Sequence, residues 1–249
     1  MIDGARATGG GEERGVGAAA KGPDRVHIVL VLVVDSSTPA VTAALAEVSD
    51  DGFALRARRR IVDAKAHGEL LAPAVDAVLG EAGVRSRDLS AIVAGVGPGP
   101  FTGLRVGLVT AASMGQALDV PTYGVCSLDA VGQVEGRVLV ATDARRREIY
   151  WAAYDGGTPL TEPAVDLPAV VAERVAALGV TAAVGEGAHR YADVLGLPVR
   201  DEPRYPLADA LVALAAERVL AKAPTERLTP LYLRRPDAVA QAARKPVLR

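Results

Sequence analysis

The sequence predicts an α/β protein built from two similar β-β-β-α-β-α halves. Short β-branched runs alternate with longer segments whose apolar residues recur at helical spacing. A strand that ends in Asp35 and enters a hairpin is matched by a later strand that ends in Asp143 and also enters a hairpin. A Gly-Val-Gly run at 95–97 is likewise matched by Gly-Glu-Gly at 185–187. Two such halves facing each other describe the two-lobed actin-like ATPase (ASKHA) architecture.

Composition excludes several classes of protein. Half of the 249 residues are apolar but only 4% are aromatic, which is typical of the Ala/Val/Leu cores of α/β proteins. A net charge of −2 argues against nucleic-acid binding by bulk charge, although a local basic patch stays open. The single cysteine, Cys126, excludes an internal disulfide and a multi-cysteine metal site. No apolar run approaches membrane-spanning length and no secretory signal is apparent, so we expect a soluble, cytoplasmic protein.

The first half begins after residues 1–24, whose Gly, Ala and charged composition predicts a disordered extension or sequence upstream of the true start. The elements that follow are strands at 26–34, 41–48 and 53–61, a helix at 67–83, a strand at 91–96, a helix at 102–118, a strand at 121–125 and a helix at 127–131. Pro73 lies too deep for the first turn of its helix, unless it marks the true helix start. Thr102 is the expected N-cap of the second long helix, whose many small residues permit close packing.

The second half repeats this order with less regularity. Its elements are strands at 138–142 and 148–154, a helix at 168–178, a strand at 181–184 and a long amphipathic helix at 206–221. We therefore divide the chain into a first lobe at 25–125 and a second lobe at 126–227, whose long helix can pack back on the first. Residues 228–249 are rich in Pro and Arg and predict an irregular tail.

The glycine-rich loop between strand 91–96 and helix 102–118 has two interpretations. It contains Gly97, Gly99 and Gly103, but it lacks the third glycine of a dinucleotide fingerprint and the Lys of a Walker loop. Backbone N–H groups near Thr102 could bind phosphate at the helix start. The alternative is a tight strand-to-helix crossover, and loop chemistry alone leaves both open.

Carboxylates, histidines and arginines are further candidate site residues. In an actin-like fold, Asp35 and Asp143 would flank the cleft and hold Mg²⁺ through water, but a turn-forming role is favoured. The three histidines include no pair at i and i+4, and no nucleophile with a neighbouring base can be argued. We therefore assign no catalytic and no metal-ligating residue. Residues 145–147, three arginines, predict a solvated turn or a contact with RNA or another anionic partner.

Several motifs occur in one order along residues 26–235. They are Asp35-Ser36-Ser37-Thr38, His67-Gly68-Glu69-Leu70-Leu71-Ala72-Pro73, Gly97-Pro98-Gly99-Pro100-Phe101-Thr102-Gly103-Leu104-Arg105, Cys126-Ser127-Leu128-Asp129-Ala130, Asp143-Ala144-Arg145 and Pro230-Leu231-Tyr232-Leu233-Arg234. In these motifs the chain resembles the TsaB (YeaZ) family. The resemblance implies an actin-like fold and the role of dimerisation subunit in the bacterial complex that makes N6-threonylcarbamoyladenosine on tRNA.

The resemblance also implies partners and a missing metal site. It implies pairing with the catalytic paralogue TsaD and work with the ATPase TsaE, while TsaC supplies threonylcarbamoyl-adenylate. The complex uses ATP and Mg²⁺ and reaches tRNA; no cofactor is assigned to this chain. TsaD carries a metal-binding H-x-x-x-H on the helix that matches His67, where this chain has Leu71 as the second position. Pro100 replaces a serine usual in the family, which argues against nucleotide binding by the loop.

The family's dimer forms through two helices of the first lobe, which correspond to 67–83 and 102–118. The interface residues that this implies are His67, Leu70, Leu71, Pro73, Ala74, Val78, Arg105, Leu108 and Ala112. The alternative is that both apolar stripes simply cover the sheet, and one helix can do both. We expect Leu71→Glu to disrupt dimerisation while leaving the fold intact.

Two other functions compete with this scaffold role. A stand-alone actin-like ATPase or small-molecule kinase would use Asp35, Asp143 and the glycine loops, whereas a metalloprotease would need stoichiometric metal.

Overall fold

The computed structural model describes residues 28–234. Its strands are β1 (Val29–Asp35), β2 (Ala40–Ser49), β3 (Gly52–Val62), β4 (Ala91–Gly95), β5 (Thr122–Val125), β6 (Arg137–Asp143), β7 (Ile149–Asp155), β8 (Thr158–Pro159), β9 (Ala164–Asp166) and β10 (Ala182–Val184). Its helices are α1 (His67–Ala82), α2 (Phe101–Leu118), α3 (Ser127–Val131), α4 (Pro168–Ala176), α5 (Glu186–Arg190), α6 (Ala192–Leu195) and α7 (Ala208–Leu220), and a 3₁₀ turn covers Ser86–Asp88.

The first sheet has the strand order β3-β2-β1-β4-β5. Strands β1, β2 and β3 are antiparallel neighbours, whereas β4 and β5 run parallel to β1. Alternate residues of β1 face opposite layers: Val31 and Val33 pack towards α7, and Leu32 and Val34 pack towards α1 and α2. Because both faces are covered, β1 is apolar throughout until Asp35.

The second sheet repeats this plan with shorter edges. Its order is β10-β6-β7-β8, and β9 also pairs with β7. Strands β6, β7 and β10 take the places of β1, β2 and β4, and an isolated parallel bridge from Ala183 to Val199 stands where β5 would be. In place of the long β3, the described part of this lobe has only the short β8 and β9. The two-lobed actin-like fold predicted from the sequence is thus confirmed, with a reduced second copy.

Three predictions about where helices begin are wrong or are resolved by the structure. Helix α1 begins at His67 and continues through Pro73, so Pro73 does not mark its start. Thr102 is not an N-cap: Pro100 occupies that position and Thr102 lies inside α2, where its backbone is already helical. Helix α7 starts at Ala208 rather than 206, because Leu207 is still extended with ψ 137°.

Two parts of the predicted organisation lie wholly or partly outside the described residues. The extension at 1–24 is one, and the tail is described only as far as Arg234, with neither helix nor strand from residue 228. The division of the lobes at 125/126 stays a prediction, although β5 ends at Val125. Among residues 28–234, no helix has the length and hydrophobicity needed to cross a membrane.

Candidate functional site

Asp35 lies inside the protein rather than in an open cleft. Its side chain ends β1, is buried, and accepts hydrogen bonds from the Ser37 amide at 3.0 Å and the Ser127 hydroxyl at 2.6 Å. The Ser37 hydroxyl donates to the same carboxylate at 3.0 Å. Burial raises the pKa of Asp35, while these hydrogen bonds act to lower it. The carboxylate therefore joins the β1 turn to α3, as in the turn-forming interpretation.

The glycine-rich loop packs against the Asp35 turn at backbone distance. A Cβ on Gly95 would lie 1.7 Å from Asp35 Oδ2, and one on Gly99 would lie 2.1 Å from the Ser37 carbonyl oxygen. At Gly97, φ is +89° and the carbonyl accepts a 2.7 Å hydrogen bond from the Ser127 amide. Glycine is required here for close approach and for a positive φ. This geometry is that of a tight crossover between β4 and α2.

Ser36 fixes the first turns of α2 to this packed turn. Its hydroxyl donates to the Gly103 carbonyl at 2.7 Å and accepts from the Gly107 amide at 2.8 Å. A Cβ on Gly103 would stand 3.1 Å from the Ser36 carbonyl oxygen. The small residues on this side of α2 thus serve the protein's own interior.

A cleft of about 300 Å³ lies beside this packed turn. Of the proposed phosphate-loop residues, Thr102, Gly103 and Asp143 line it, whereas Asp35, Gly97 and Gly99 do not. The structure therefore does not bring these six residues together as one phosphate site. Within the described chain, no cluster of three or more His, Cys, Asp and Glu side chains is arranged to hold a metal.

Asp143 is held by its own lobe. Its carboxylate accepts a 2.8 Å hydrogen bond from Arg190 and a 3.2 Å hydrogen bond from the Arg145 amide. Its amide donates to Glu186, whose pKa is raised mainly by burial. Arg145 lines the cleft, and Arg146 and Arg147 are exposed on the same turn. A contact between this turn and tRNA stays a prediction.

His67 and Leu71 do not form an open ligand pair. The His67 ring lies at the buried start of α1, and its Nε2 is 2.8 Å from the Thr38 carbonyl oxygen, to which it can only donate. Leu71, one turn later, is 1% exposed and packs in the core between α1, α2 and the first sheet. The position at which the family resemblance implies a second histidine in TsaD is therefore filled by core packing.

The residues expected at a partner interface divide into two groups. Leu71, Ala74, Val78 and Leu108 are buried in the subunit's own core, and His67 and Leu70 are largely covered; Pro73, Arg105 and Ala112 are exposed. Burial of Leu71 contradicts the expectation that Leu71→Glu leaves the fold intact, since it would place a carboxylate in an apolar core. Only substitutions at the exposed residues can test partner binding without also destabilising the subunit's own fold.

Sequence reasoning missed the most exposed apolar residues of α2. Val109 is 61% exposed and Phe101 is 46% exposed. The Phe101 ring stacks on Tyr232 at 5.2 Å between centroids, and the Arg105 guanidinium lies 4.4 Å from the centre of the Phe101 ring. Arg105, Val109 and Ala112 follow each other at helical spacing on the side of α2 away from the buried Leu108. That spacing is the sequence signal that could have identified this exposed side.

A groove of about 700 Å³ runs along this exposed side of α2. Its other wall is the segment 225–232. Helix α1 packs beside α2 and adds Ala72, Pro73 and Ala77 to the outer surface. We call the outer surface of α1 and α2 the α1–α2 face. It carries small and apolar side chains together with the charged residues Glu69, Asp76 and Arg105.

Comparison with known proteins points to one family. The family model TsaD, tRNA N6-adenosine threonylcarbamoyltransferase, matches residues 61–238. The Mycobacterium tuberculosis protein Rv3421c is 48% identical over 215 residues, which are 86% of this chain and 96% of that protein. The Escherichia coli tRNA threonylcarbamoyladenosine biosynthesis protein TsaB is 32% identical over 223 residues, covering 82% of this chain and 94% of its own length.

A solved structure agrees with these relatives. YeaZ from Pseudomonas aeruginosa superposes with a TM-score of 0.68 at 29% identity, covering 82% of this chain and 100% of that chain. The chain therefore belongs to the TsaB (YeaZ) family of tRNA threonylcarbamoyladenosine biosynthesis proteins.

Proposed function

We propose that this chain is a non-catalytic partner subunit in the synthesis of N6-threonylcarbamoyladenosine on tRNA. It binds the catalytic paralogue TsaD through the α1–α2 face and works in the cytoplasm with TsaD and the ATPase TsaE. The observation that carries the proposal is the burial of Leu71 at the position where TsaD has its second metal-binding histidine.

The helix start cannot supply TsaD's metal chemistry in this arrangement. An i, i+4 histidine pair holds a metal only if both imidazoles face the same open space. Here Leu71 offers no ligand atom, and His67 uses its Nε2 to hold the Thr38 carbonyl at 2.8 Å. Such a subunit would act by binding and positioning its catalytic partner.

The α1–α2 face has the composition of a helix-packing surface. Small side chains such as Ala72, Ala77 and Ala112 allow a partner helix to approach closely, and Val109 supplies exposed apolar area. A partner with the same fold would present the equivalent helices, giving a four-helix contact. A specific contact of this kind buries about 1,200–2,000 Å² in total. A second copy of this chain is the competing occupant of the same face.

Reconstitution tests the catalytic part of the proposal. Purified TsaD, TsaE and TsaC are incubated with tRNA, ATP, bicarbonate and labelled threonine, with or without this chain. We expect incorporation into tRNA to require the chain, and the chain alone to give none. Equal incorporation without the chain, or incorporation by the chain without TsaD, would refute the proposal.

A further inference from the structure

A cavity of about 540 Å³ lies on the face of the first sheet that is covered by α7, opposite to α1 and α2. It is formed where the start of α7 meets β2 and β3. We propose that this cavity binds the phosphate group of a phosphorylated small molecule. The phosphate would be held by Arg58, Arg60, the Thr42 hydroxyl and the N-terminus of α7. The proposal is independent of the role assigned to the α1–α2 face.

Thr42 is the first observation that points to a ligand. It lines the cavity, is 3% exposed, and its hydroxyl has no hydrogen-bond partner among residues 28–234. Its neighbours on the same side of β2, Ala44 and Ala46, pack with α7. Strand alternation therefore directs Thr42 to the α7 side as well. A buried hydroxyl without a partner is costly, and a ligand oxygen in the cavity would satisfy it.

The β3 arginines bring positive charge to the same place. Arg60 is directly opposite Thr42 in the sheet and Arg58 is opposite Ala44, so both start from the α7 side. No ion pair or hydrogen bond joins Arg60 to another described residue. Arg58 has one weak ion pair, 4.0 Å from Asp209, and both of these side chains are largely exposed. Arginine suits phosphate because its planar guanidinium can donate two parallel hydrogen bonds.

The start of α7 supplies backbone donors. Residues 206–208 line the cavity, and no side chain caps the helix. The first N–H groups of a helix have no partner within it, and the helix dipole favours an anion at this end. With 13 residues, α7 is long enough for this effect. The N-terminus and the unsatisfied Thr42 hydroxyl are independent features that meet at one cavity.

Two acidic residues near the cavity do not block it. Glu202 lines the cavity, but its Oε2 accepts a 3.0 Å hydrogen bond from the Arg204 amide within its own turn. Asp209 is exposed, and its distant pair with Arg58 can be exchanged for a phosphate at small cost. The cavity is larger than one phosphate group, which leaves room for the rest of a small molecule.

Amide NMR of the full chain tests this site with inorganic phosphate as the probe, at constant ionic strength. We expect saturable shifts at residues 208–210, an affinity about tenfold weaker in Arg60→Met, and little change in Arg56→Met. Arg56 is the matched control, because it carries the same charge on β3 but does not line the cavity and pairs with Glu47 at 2.8 Å. Equal losses in the two variants, or no saturable shift, would overturn the proposal. A short single-stranded RNA is titrated in parallel, and binding of RNA without inorganic phosphate would also overturn it.

Thr42→Val separates a ligand site from a structural hydroxyl. Valine has the same shape without the polar atom, so we expect the unliganded variant to be at least as stable as the parent while phosphate binding weakens several-fold. Lower unliganded stability with unchanged phosphate affinity would show that the hydroxyl serves the fold, which contradicts the proposal.

Discussion

The Ser127 hydroxyl at the start of α3 donates a 2.6 Å hydrogen bond to the carboxylate of Asp35 at the end of β1, across 92 positions of sequence. Gly95 lies between them and leaves no room for a Cβ. The turn after β1, the glycine loop and α3 are therefore one packed unit. The most recognisable motifs of the sequence build this unit rather than an open reaction centre.

The pH dependence of stability should report the buried Asp35. Because burial raises the pKa of Asp35, the native state holds its proton more tightly than the unfolded chain. This contribution is fully present below about pH 4, the pKa of an unfolded Asp, and is lost as pH rises through the native pKa. Asparagine does not ionise, so Asp35→Asn should gain stability relative to the parent between pH 4 and 7. Urea unfolding at several pH values measures the difference; a constant difference would contradict this assignment.

The packing of the glycine loop is tested by two glycine substitutions. Gly99→Ala places a Cβ 2.1 Å from the Ser37 carbonyl, so we expect a loss of about 1–3 kcal/mol or more in the free energy of unfolding. Gly68→Ala is the control, because nothing lies within 4 Å of its Cβ and it sits in α1. Alanine there should be neutral or stabilising by up to about 1 kcal/mol. Similar effects at the two positions would refute the close packing of the loop.

Two nearby positions of helix α1, one buried and one exposed, should respond in opposite ways to substitution by alanine. We expect Leu71→Ala to cost about 2–5 kcal/mol of unfolding free energy, because it leaves a cavity in the core. Pro73→Ala, on the exposed side, should raise stability, since alanine restores an N–H that can donate to the Glu69 carbonyl one turn earlier. Denaturant unfolding compares both variants with the parent. A near-neutral Leu71→Ala would show that Leu71 is not the core residue described here.

Cys126 should be unreactive in the native protein. Burial, with a smaller effect of Asp129, raises the pKa of its thiol to about 12. At pH 8 the thiolate fraction is then on the order of 10⁻⁴, and alkylation proceeds through the thiolate. We expect iodoacetamide to label the native chain far more slowly than the urea-unfolded chain, with mass spectrometry as the readout. Comparable rates in the two states would contradict this environment for Cys126.

The spacing of apolar and β-branched residues along the sequence predicted most of the strands and helices. The β-branched run of β1 and the apolar spacing of α1 predicted both elements to within a few residues. The pattern could not show which partner each apolar face meets. The family resemblance implies Leu71 and Leu108 at a partner interface, but both pack in the subunit's own core, since helical spacing identifies an apolar face and not what covers it. Val109, on the other side of α2, was overlooked for the same reason.

Site residues were harder to predict because long-range packing decides them. Asp35 and Asp143 look alike in sequence, since each ends a strand before a turn. Only the fold shows that one is bound by Ser127 and the other by Arg190. The cavity beside Thr42 is also invisible locally, because it joins β2, β3 and the start of α7 from distant parts of the chain.

The central claim is that the α1–α2 face binds the catalytic paralogue, and calorimetric titration of TsaD with this chain measures that contact directly. Val109→Glu places a charge on a residue that is 61% exposed, and Val194→Glu does the same on α6 of the other lobe, at a residue that is 49% exposed. Both variants should keep the parent's circular dichroism spectrum. We expect the parent and Val194→Glu to bind TsaD equally and Val109→Glu to bind at least about tenfold more weakly. Unchanged affinity in Val109→Glu, or no binding by the parent, would contradict the claim.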